Sequence, residues 1–432
     1  MLATRVKLII SIFFSIIIIT LTYIASPLKP LIPHLDYLLG TEKPTTYLIL
    51  LQNNTEMRAN GGFAGSYAKL TLNFPKVTLD FQDIYVPNGQ LQGHVSPPPP
   101  IQQAFKHGTW ELANADWEPD FPTAAKAIRW FFTKGDETNP DILLTLNLDT
   151  IKKILKIVGP FKVWEYEAVI SPENVYSFLQ SQAETDFFPG STQKKDALTA
   201  VGNSLKKKLF QLNIIQYFQI SQIILDDLNH SNLLLHSEDQ NFQSFIEKAG
   251  WSGKIIPGGL DTFMTVETNL GANKANCCIE RETTHIITKE NSTFKHKTNI
   301  KITNTSSGHN PNPPFDFSGH YISYIRLYIP KDSWDIQIIP LQSSPSGVLH
   351  LPPVEVVTTP NKFGLTEIGF FHTTASSTTS NIDLSYKLST GSATFPYSLK
   401  IIKQNGLHSS PLSIIYDGQT ATFSLSKTAF FP

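Results

Sequence analysis

The pattern of apolar and polar positions changes character three times along the chain. Leu8 to Ala25, LIISIFFSIIIITLTYIA, is one uncharged apolar run, long enough as a helix to cross a hydrocarbon core of roughly 30 Å. Arg5 and Lys7 precede it, so residues 1–7 are expected as a cytoplasmic tail, 8–25 as a single-pass signal anchor in the cell membrane, and the bulk of the chain as extracytoplasmic. A cleaved signal peptide is the competing reading. Pro27, Pro30, Pro33 and Pro44 then interrupt residues 26–44, which read as a linker off the membrane.

From residue 45 strand and helix periods alternate. Tyr47–Leu51 reads as a strand that leaves its sheet at Gln52, carries Asn53, Asn54, Glu56 and Arg58 into a loop, and returns through Gly61, Gly62 and Gly65 to a second strand ending near Leu72. Lys76–Ile84 alternates as a third strand closing on Asp83. Ser96–Pro100 reads as a rigid surface break. Pro122 opens a mostly buried helix, Asp141–Leu148 is a buried strand, and Asp149 is expected to cap a helix stopped by Gly159 and Pro160. Helices are predicted from Ser171 to Gln180, Lys194 to Phe210 and Ile214 to Leu228, with further strands of the same sheet at Leu233–His236 and Thr262–Thr268. A strand-helix-strand order implies a sheet with parallel pairs covered by helices. Residues 45–273 are therefore predicted as a three-layer, mixed-sheet α/β domain.

Beyond Lys274 the helical period disappears. THIIT, TNIKITN, YISYIRLYIP, DIQIIPL, TEIGFF, IDLSYKL, YSLKIIKQ, LSIIYD and ATFSLS follow one another with turn residues between. Residues 274–432 are predicted as an immunoglobulin-like β-sandwich.

A length of 432 residues fits two domains plus accessory segments. The net charge of −1, from 35 Lys and Arg against 36 Asp and Glu, offers no field for nucleic acid, and none is expected as a partner. Charged residues are only 16% while proline reaches 29, as in exported β-rich proteins. The two cysteines, Cys277 and Cys278, are adjacent; a bond between neighbours is geometrically demanding, so they are expected as half-buried strand positions.

Candidate chemistry gathers at strand ends, where open α/β sheets bind ligands. The chain has no GxxxxGK[ST], HExxH, GxSxG or CxxC motif, which removes the best-marked nucleotide, zinc-protease, serine-hydrolase and thiol-redox readings. What remains is Glu56 and Arg58 after the first strand, Asp83 at the end of the third, Asp116 and Asp120 ahead of a helix, and Asn269, Asn273 and Lys274 after the last sheet strand. Carboxylates beside cations suit magnesium and a phosphate or pyrophosphate, and the glycines let backbone N–H groups approach an anion. Plainer roles stand beside these: a structural Glu56–Arg58 ion pair, glycines that only satisfy turn geometry, and Asp120 as a helix cap.

Several long motifs resemble a bacterial family of unknown function, DUF 4012: QNNTEMRANGGFAGSY at Gln52–Tyr67, NADWEPDFPTAA at Asn114–Ala125, NPDILLTLNLDTIKKILKIVGP, QKKDAL at Gln193–Leu198, and NLGANKAN at Asn269–Asn276. More distantly, the order of anchor, strand, charged loop and a KVTL strand closing on an aspartate is similar to the LytR-CpsA-Psr family. Those are membrane-anchored proteins that transfer glycopolymers from polyprenyl-pyrophosphate carriers to the cell wall. That family's functional arginine and aspartate fall on Gln82 and Asp83, and its basic segment near Lys194 and Lys195, leaving Arg58 and Lys274 to supply the missing charge. The resemblance implies a cell-envelope protein whose partners are the membrane and a lipid-linked glycopolymer or peptidoglycan. In the catalytic version Asp83, Glu56 and Asp120 carry the chemistry and Glu56 and Asp83 hold magnesium; Arg58, Asn54, Gly61, Gly62, Asn269, Asn273 and Lys274 bind the ligand. The alternative is a non-catalytic envelope scaffold that binds a glycan or a protein.

Overall fold

Strands β1 (Thr45–Arg58), β2 (Gly61–Asn73) and β3 (Lys76–Asp83) form an antiparallel start to a five-stranded sheet, completed by β4 (Ile142–Asn147) and β7 (Leu235–Ser237) in the order β3-β2-β1-β4-β7. The computed structural model describes residues 26–106, 108–184, 193–310, 318–343, 355–389 and 397–431. The expected tail and anchor, residues 1–7 and 8–25, lie outside the described residues. Among those described, no helix is long and apolar enough to cross a membrane.

β1 runs parallel to β4 from Tyr47 opposite Ile142 to Gln52 opposite Asn147, while β7 joins β4 antiparallel, so the predicted mixed sheet is present. Among the described residues, six helices of ten residues or more accompany it: α1 (Phe121–Lys134), α2 (Leu148–Val158), α3 (Val175–Glu184), α4 (Gln193–Leu209), α5 (Ile214–Asn229) and α6 (Gln240–Ala249). Leu48, Leu50 and Leu143 point to one face and pack on Phe121, Ala124, Ala125 and Ile128 of α1. On β3, Phe81 lies against α4, where a Cβ on Gly202 would sit 2.1 Å from its ring. A second core gathers α2, α3 and α4 around the small hairpin of β5 (Phe161–Val163) and β6 (Ala168–Ile170).

Local signals explain most boundaries and correct some. Asp120 caps α1 through Thr123 N at 3.1 Å. At α2 the cap is Asn147, which accepts from Thr150 N at 2.9 Å, so Asp149 lies in the first turn instead of capping it. The proline run ends in a seven-residue helix, Pro99–Phe105, with proline in its first turn, because that turn has no need of the missing N–H. α6 carries its own Asp239 cap and was readable from Phe242 and Ile246 at i, i+4.

Among the described residues, a smaller compact unit comprises residues 26–46 together with Leu70–Leu79. Its 3-10 helix Ser26–His34 holds Pro30 and Pro33, the short helix Leu35–Leu39 follows, and Gly40 closes that helix at φ +64°.

The C-terminal part is a pair of facing sheets. One has the order β12-β15-β10-β9-β17-β18 and the other β13-β14-β11-β8-β16-β19. Their strands are β8 (Asp261–Asn269), β9 (Ile279–Glu290), β10 (Thr293–Asn304), β11 (Tyr321–Pro330), β12 (Trp334–Leu341) and β13 (Val357–Lys362), then β14 (Leu365–Thr374), β15 (Thr378–Ser389), β16 (Leu399–Ile402), β17 (Ser410–Tyr416), β18 (Gln419–Leu425) and β19 (Ala429–Phe431). Ile300, Ile302, Ile382 and Ile414 of the first sheet share a core with Ile325, Leu327, Phe370 and Leu399 of the second. Six strands a side exceed the roughly seven to nine in total of immunoglobulin domains. β8 is the main departure from expectation. It pairs with β11 and β16 and not with the α/β sheet, because eight of its nine residues are buried and that continuous burial is met only inside the sandwich.

Candidate functional site

β1 does not break at Gln52. It continues as a paired strand to Arg58, turns through Ala59 and Asn60, and returns as β2 from Gly61. The polar residues are tolerated because each finds a partner: Gln52 Nε2 donates to the Asn60 carbonyl at 3.1 Å, and Asn53 Oδ1 accepts from Thr55 Oγ1 at 2.7 Å.

Glu56 and Arg58, two apart on one strand, face the same side and are both buried. Arg58 Nη2 donates to Glu56 Oε1 at 3.0 Å, and Lys274 Nζ donates to Oε2. Burial pushes the Glu56 carboxyl up, but Arg58 and Lys274 outweigh it and hold the group below its ordinary value. Arg58 Nη1 also donates to the Asn269 carbonyl at 2.7 Å, with the Phe63 ring 5.0 Å from its guanidinium carbon. Asn269 Nδ2 in turn reaches the Asn273 carbonyl at 3.0 Å and Asn276 Oδ1 at 2.9 Å, while Met57 N donates to the same Asn276 oxygen at 2.9 Å. Glu56, Arg58, Asn269, Asn273 and Lys274, which are far apart in sequence, thus form one network.

Other expected site residues are placed differently. Gly61 has φ +124°, and a Cβ there would lie 2.4 Å from Gln52 Oε1; one on Gly62 would lie 2.1 Å from the Asn53 carbonyl. Both permit the close return of the hairpin. Asn54 is not part of that network and donates to Asp149 Oδ2, an oxygen that also meets His408 Nε2 at 2.5 Å. Asp83 accepts from Tyr85 N at 2.9 Å. Asp120 has both oxygens engaged, one by Thr123 N and Oγ1, the other by Ile255 N at 2.9 Å.

The sequence reading did not reach Gln404, and it did not foresee how Asp116 and the two cysteines are held. Gln404 donates from Nε2 to the carbonyls of Arg58 at 3.0 Å and Glu267 at 2.8 Å. Asp116 is buried with no hydrogen bond from another residue, and burial pushes its carboxyl up to about 6 against the attraction of Arg58 and Arg326. Cys277 and Cys278 are bonded to each other in the 3-10 turn Ala275–Cys278, which corrects the expectation of two separate strand positions: the turn takes both residues off the strand, and β9 begins only at Ile279.

Two clefts flank the Gln52–Arg58 segment. On the Asn54 side a polar cleft of about 660 Å³ is bordered by Asp149, Lys152, Cys277, Arg281 and His408. On the Asn53 side a cleft of about 360 Å³ is walled by Leu51, Phe63, Ile151, Tyr176, Leu179 and Leu198, with Gln52, Asp83 and Lys274 among its polar members. For magnesium, the donor set as arranged is a poor fit. Both Glu56 oxygens already bind cations, and Asp83 is the one carboxylate among the residues that line the smaller cleft.

The chain is thus a mixed α/β protein with a buried charge network under its first hairpin and a sandwich behind it. Residues 42–183 match the model of a family described as a protein of unknown function, DUF4012, and so bear out the resemblance read from the motifs at Gln52–Tyr67 and Asn114–Ala125. No curated protein matches. Among solved structures, TagV of B. subtilis is 12% identical over 50% of this chain and 86% of its own, with a TM-score of 0.30. The Lin1025 protein from Listeria innocua is 11% identical over 49% of this chain and 79% of its own, at a TM-score of 0.26.

Proposed function

We propose that this is a membrane-anchored, extracytoplasmic cell-envelope protein that holds an isoprenoid-linked saccharide phosphate or pyrophosphate and passes its glycan to the cell wall. The observation that carries the reading is the smaller cleft, whose apolar walls suit a polyprenyl chain while Lys274 at its polar part suits the phosphate head. The layered α/β arrangement, with α1 on one face of the sheet and α4 on the other, gives the lipid a groove between sheet and helices, and the twelve-stranded sandwich would present the glycan end outward. In this scheme Lys274 neutralises phosphate charge from its seat on Glu56, and Arg58 and the asparagines hold that seat in place. Asp83, which lines the same cleft, is the carboxylate that would take the proton of an acceptor hydroxyl in transfer. The closed Glu56–Arg58–Lys274 network favours a second reading, a scaffold that binds the same lipid without turning it over.

Purified full-length protein, incubated with a polyprenyl-pyrophosphate oligosaccharide and magnesium, tests both. Native mass spectrometry is expected to show the lipid retained by wild type and lost from Leu179→Trp, which fills the groove from a half-buried position. Turnover by wild type that Asp83→Asn abolishes without releasing the lipid supports transfer. Retention without turnover supports the scaffold, and no retention removes the proposal.

A further inference from the structure

Inside the sandwich, far in sequence from the hairpin network, Asp261, His285 and His296 bring one carboxylate oxygen and two imidazole nitrogens within 4.8 Å of one another. All three are buried, none above 1% exposed. Among the described residues no other set of three such side chains converges in this way.

Sheet geometry explains how two histidines meet here. His285 on β9 lies opposite Thr298 on β10, and His296 lies opposite Ile287. The histidines are therefore diagonal neighbours on one face of the antiparallel pair, a spacing within reach of long side chains. That face points into the core, and the second sheet supplies Asp261 from the first residue of β8. The group thus draws on both sheets.

The separations are those of ligands around a small cation. His285 Nε2 lies 3.3 Å from His296 Nδ1, and His296 Nδ1 lies 3.4 Å from Asp261 Oδ2. Bonds of about 2.0–2.1 Å in a tetrahedron put neighbouring ligand atoms roughly 3.3–3.4 Å apart. Of the outer ring nitrogens, that of His285 is held as a metal ligand requires, while His296 Nε2 has no hydrogen-bond partner. His285 Nδ1 pairs with Thr298 Oγ1 at 2.7 Å, which fixes the ring and leaves Nε2 facing the group. Tyr386 stacks on His296 with ring centroids 4.3 Å apart. Tyr397 brings its hydroxyl to 2.5 Å from Asp261 Oδ2, so a fourth donor stands beside the other three.

We propose that Asp261, His285 and His296 form a structural site for a zinc-class divalent cation, with the Tyr397 hydroxyl as the adjacent fourth donor. Imidazole nitrogen with a carboxylate is the donor set zinc takes, and burial on all sides makes the site a closed structural one instead of a catalytic one. Its role is a staple between the two sheets. The only two cysteines are bonded to each other and tie no sheet to another; a cation here links β8 to β9 and β10. The metal enters as the sheets close during folding.

The test uses the full chain, unfolded in guanidinium with chelator and refolded with zinc or without it. Refolding with zinc is expected to give about one zinc ion per chain by elemental analysis, retained through gel filtration in chelator, and a higher melting midpoint than the zinc-free sample. His285→Gln and His296→Gln are expected to lose the zinc, whereas His372→Gln, at a buried histidine bonded to Ser380 at 2.8 Å, keeps it. Cobalt(II) in place of zinc reports ligand geometry by visible absorption in wild type alone, so the result does not depend on any variant folding. Wild type that refolds without bound zinc and with an unchanged midpoint overturns the proposal, as does zinc bound equally by His285→Gln and His296→Gln.

Discussion

Asp116 sits between Arg58 and Arg326, yet burial dominates and raises its carboxyl from its usual 3.8 to about 6. Below about pH 4 the group is protonated in folded and unfolded chains alike and contributes nothing. As pH rises from 4 to 6 the unfolded chain gives up its proton first, so stability falls, by up to about 3 kcal/mol once pH exceeds 6. Asp116→Asn is expected to recover most of that at pH 7.5 and none of it at pH 4, compared with wild type by urea melts at each pH. An equal gain at both would mean that ionisation is not the cause. Glu56 behaves in the opposite sense. Removing its charge with Glu56→Gln leaves buried Arg58 and half-buried Lys274 without their carboxylate, and the expected loss is about 3–5 kcal/mol in the same measurement. A loss below 1 kcal/mol would show that water already screens the network.

At the scale of elements, the first hairpin depends on what its glycines lack. A methyl group on Gly62 would fall 2.1 Å from the Asn53 backbone, and a backbone neighbour cannot rotate away. Gly62→Ala is expected to cost about 3 kcal/mol and to weaken hydrogen-exchange protection along β1 and β2 first. Unchanged protection there would show that the hairpin has room to spread. The sequence announced this hairpin only in part. Helices and strands with a clear period, such as α1, β4 and the strands after Lys274, stand where periodicity places them, and so does α2 apart from its cap. The end of β1 does not, since Gln52, Asn53 and Asn54 look like a loop until Asn60, Thr55 and Asp149 are known to answer them. Likewise β8 reads as a buried strand but carries no mark of which sheet buries it. Partners distant along the chain leave no local trace. The network of Glu56 with Lys274, and the meeting of Asp261 with two histidines, are of that kind, although the residue types of the first were legible at strand ends.

Across the whole molecule, the α/β region and the sandwich are sewn together by buried polar groups. Arg326 donates to the Trp117 carbonyl at 2.8 Å and lies 4.4 Å over the Trp117 ring, Asn405 Nδ2 donates to Asn60 Oδ1 at 3.1 Å, and Lys362 reaches Glu118 at 3.0 Å. Separating the two would leave these groups buried or half-buried without partners. Calorimetry of the full chain is therefore expected to show one main transition with matching calorimetric and van't Hoff enthalpies. Two well-separated peaks would show that the contacts are too weak to couple the parts.

Gln404 gives that coupling a history. One carboxamide accepts from Glu267 N at 2.8 Å through its oxygen and with its nitrogen grips carbonyls of both the first hairpin and β8. A recombination event that exchanged the sandwich for another would bring in a foreign residue at this point and strand the Arg58 carbonyl. Descendants of this lineage are thus expected to inherit both halves as one unit, with the hairpin motif and the residue at position 404 changing only together.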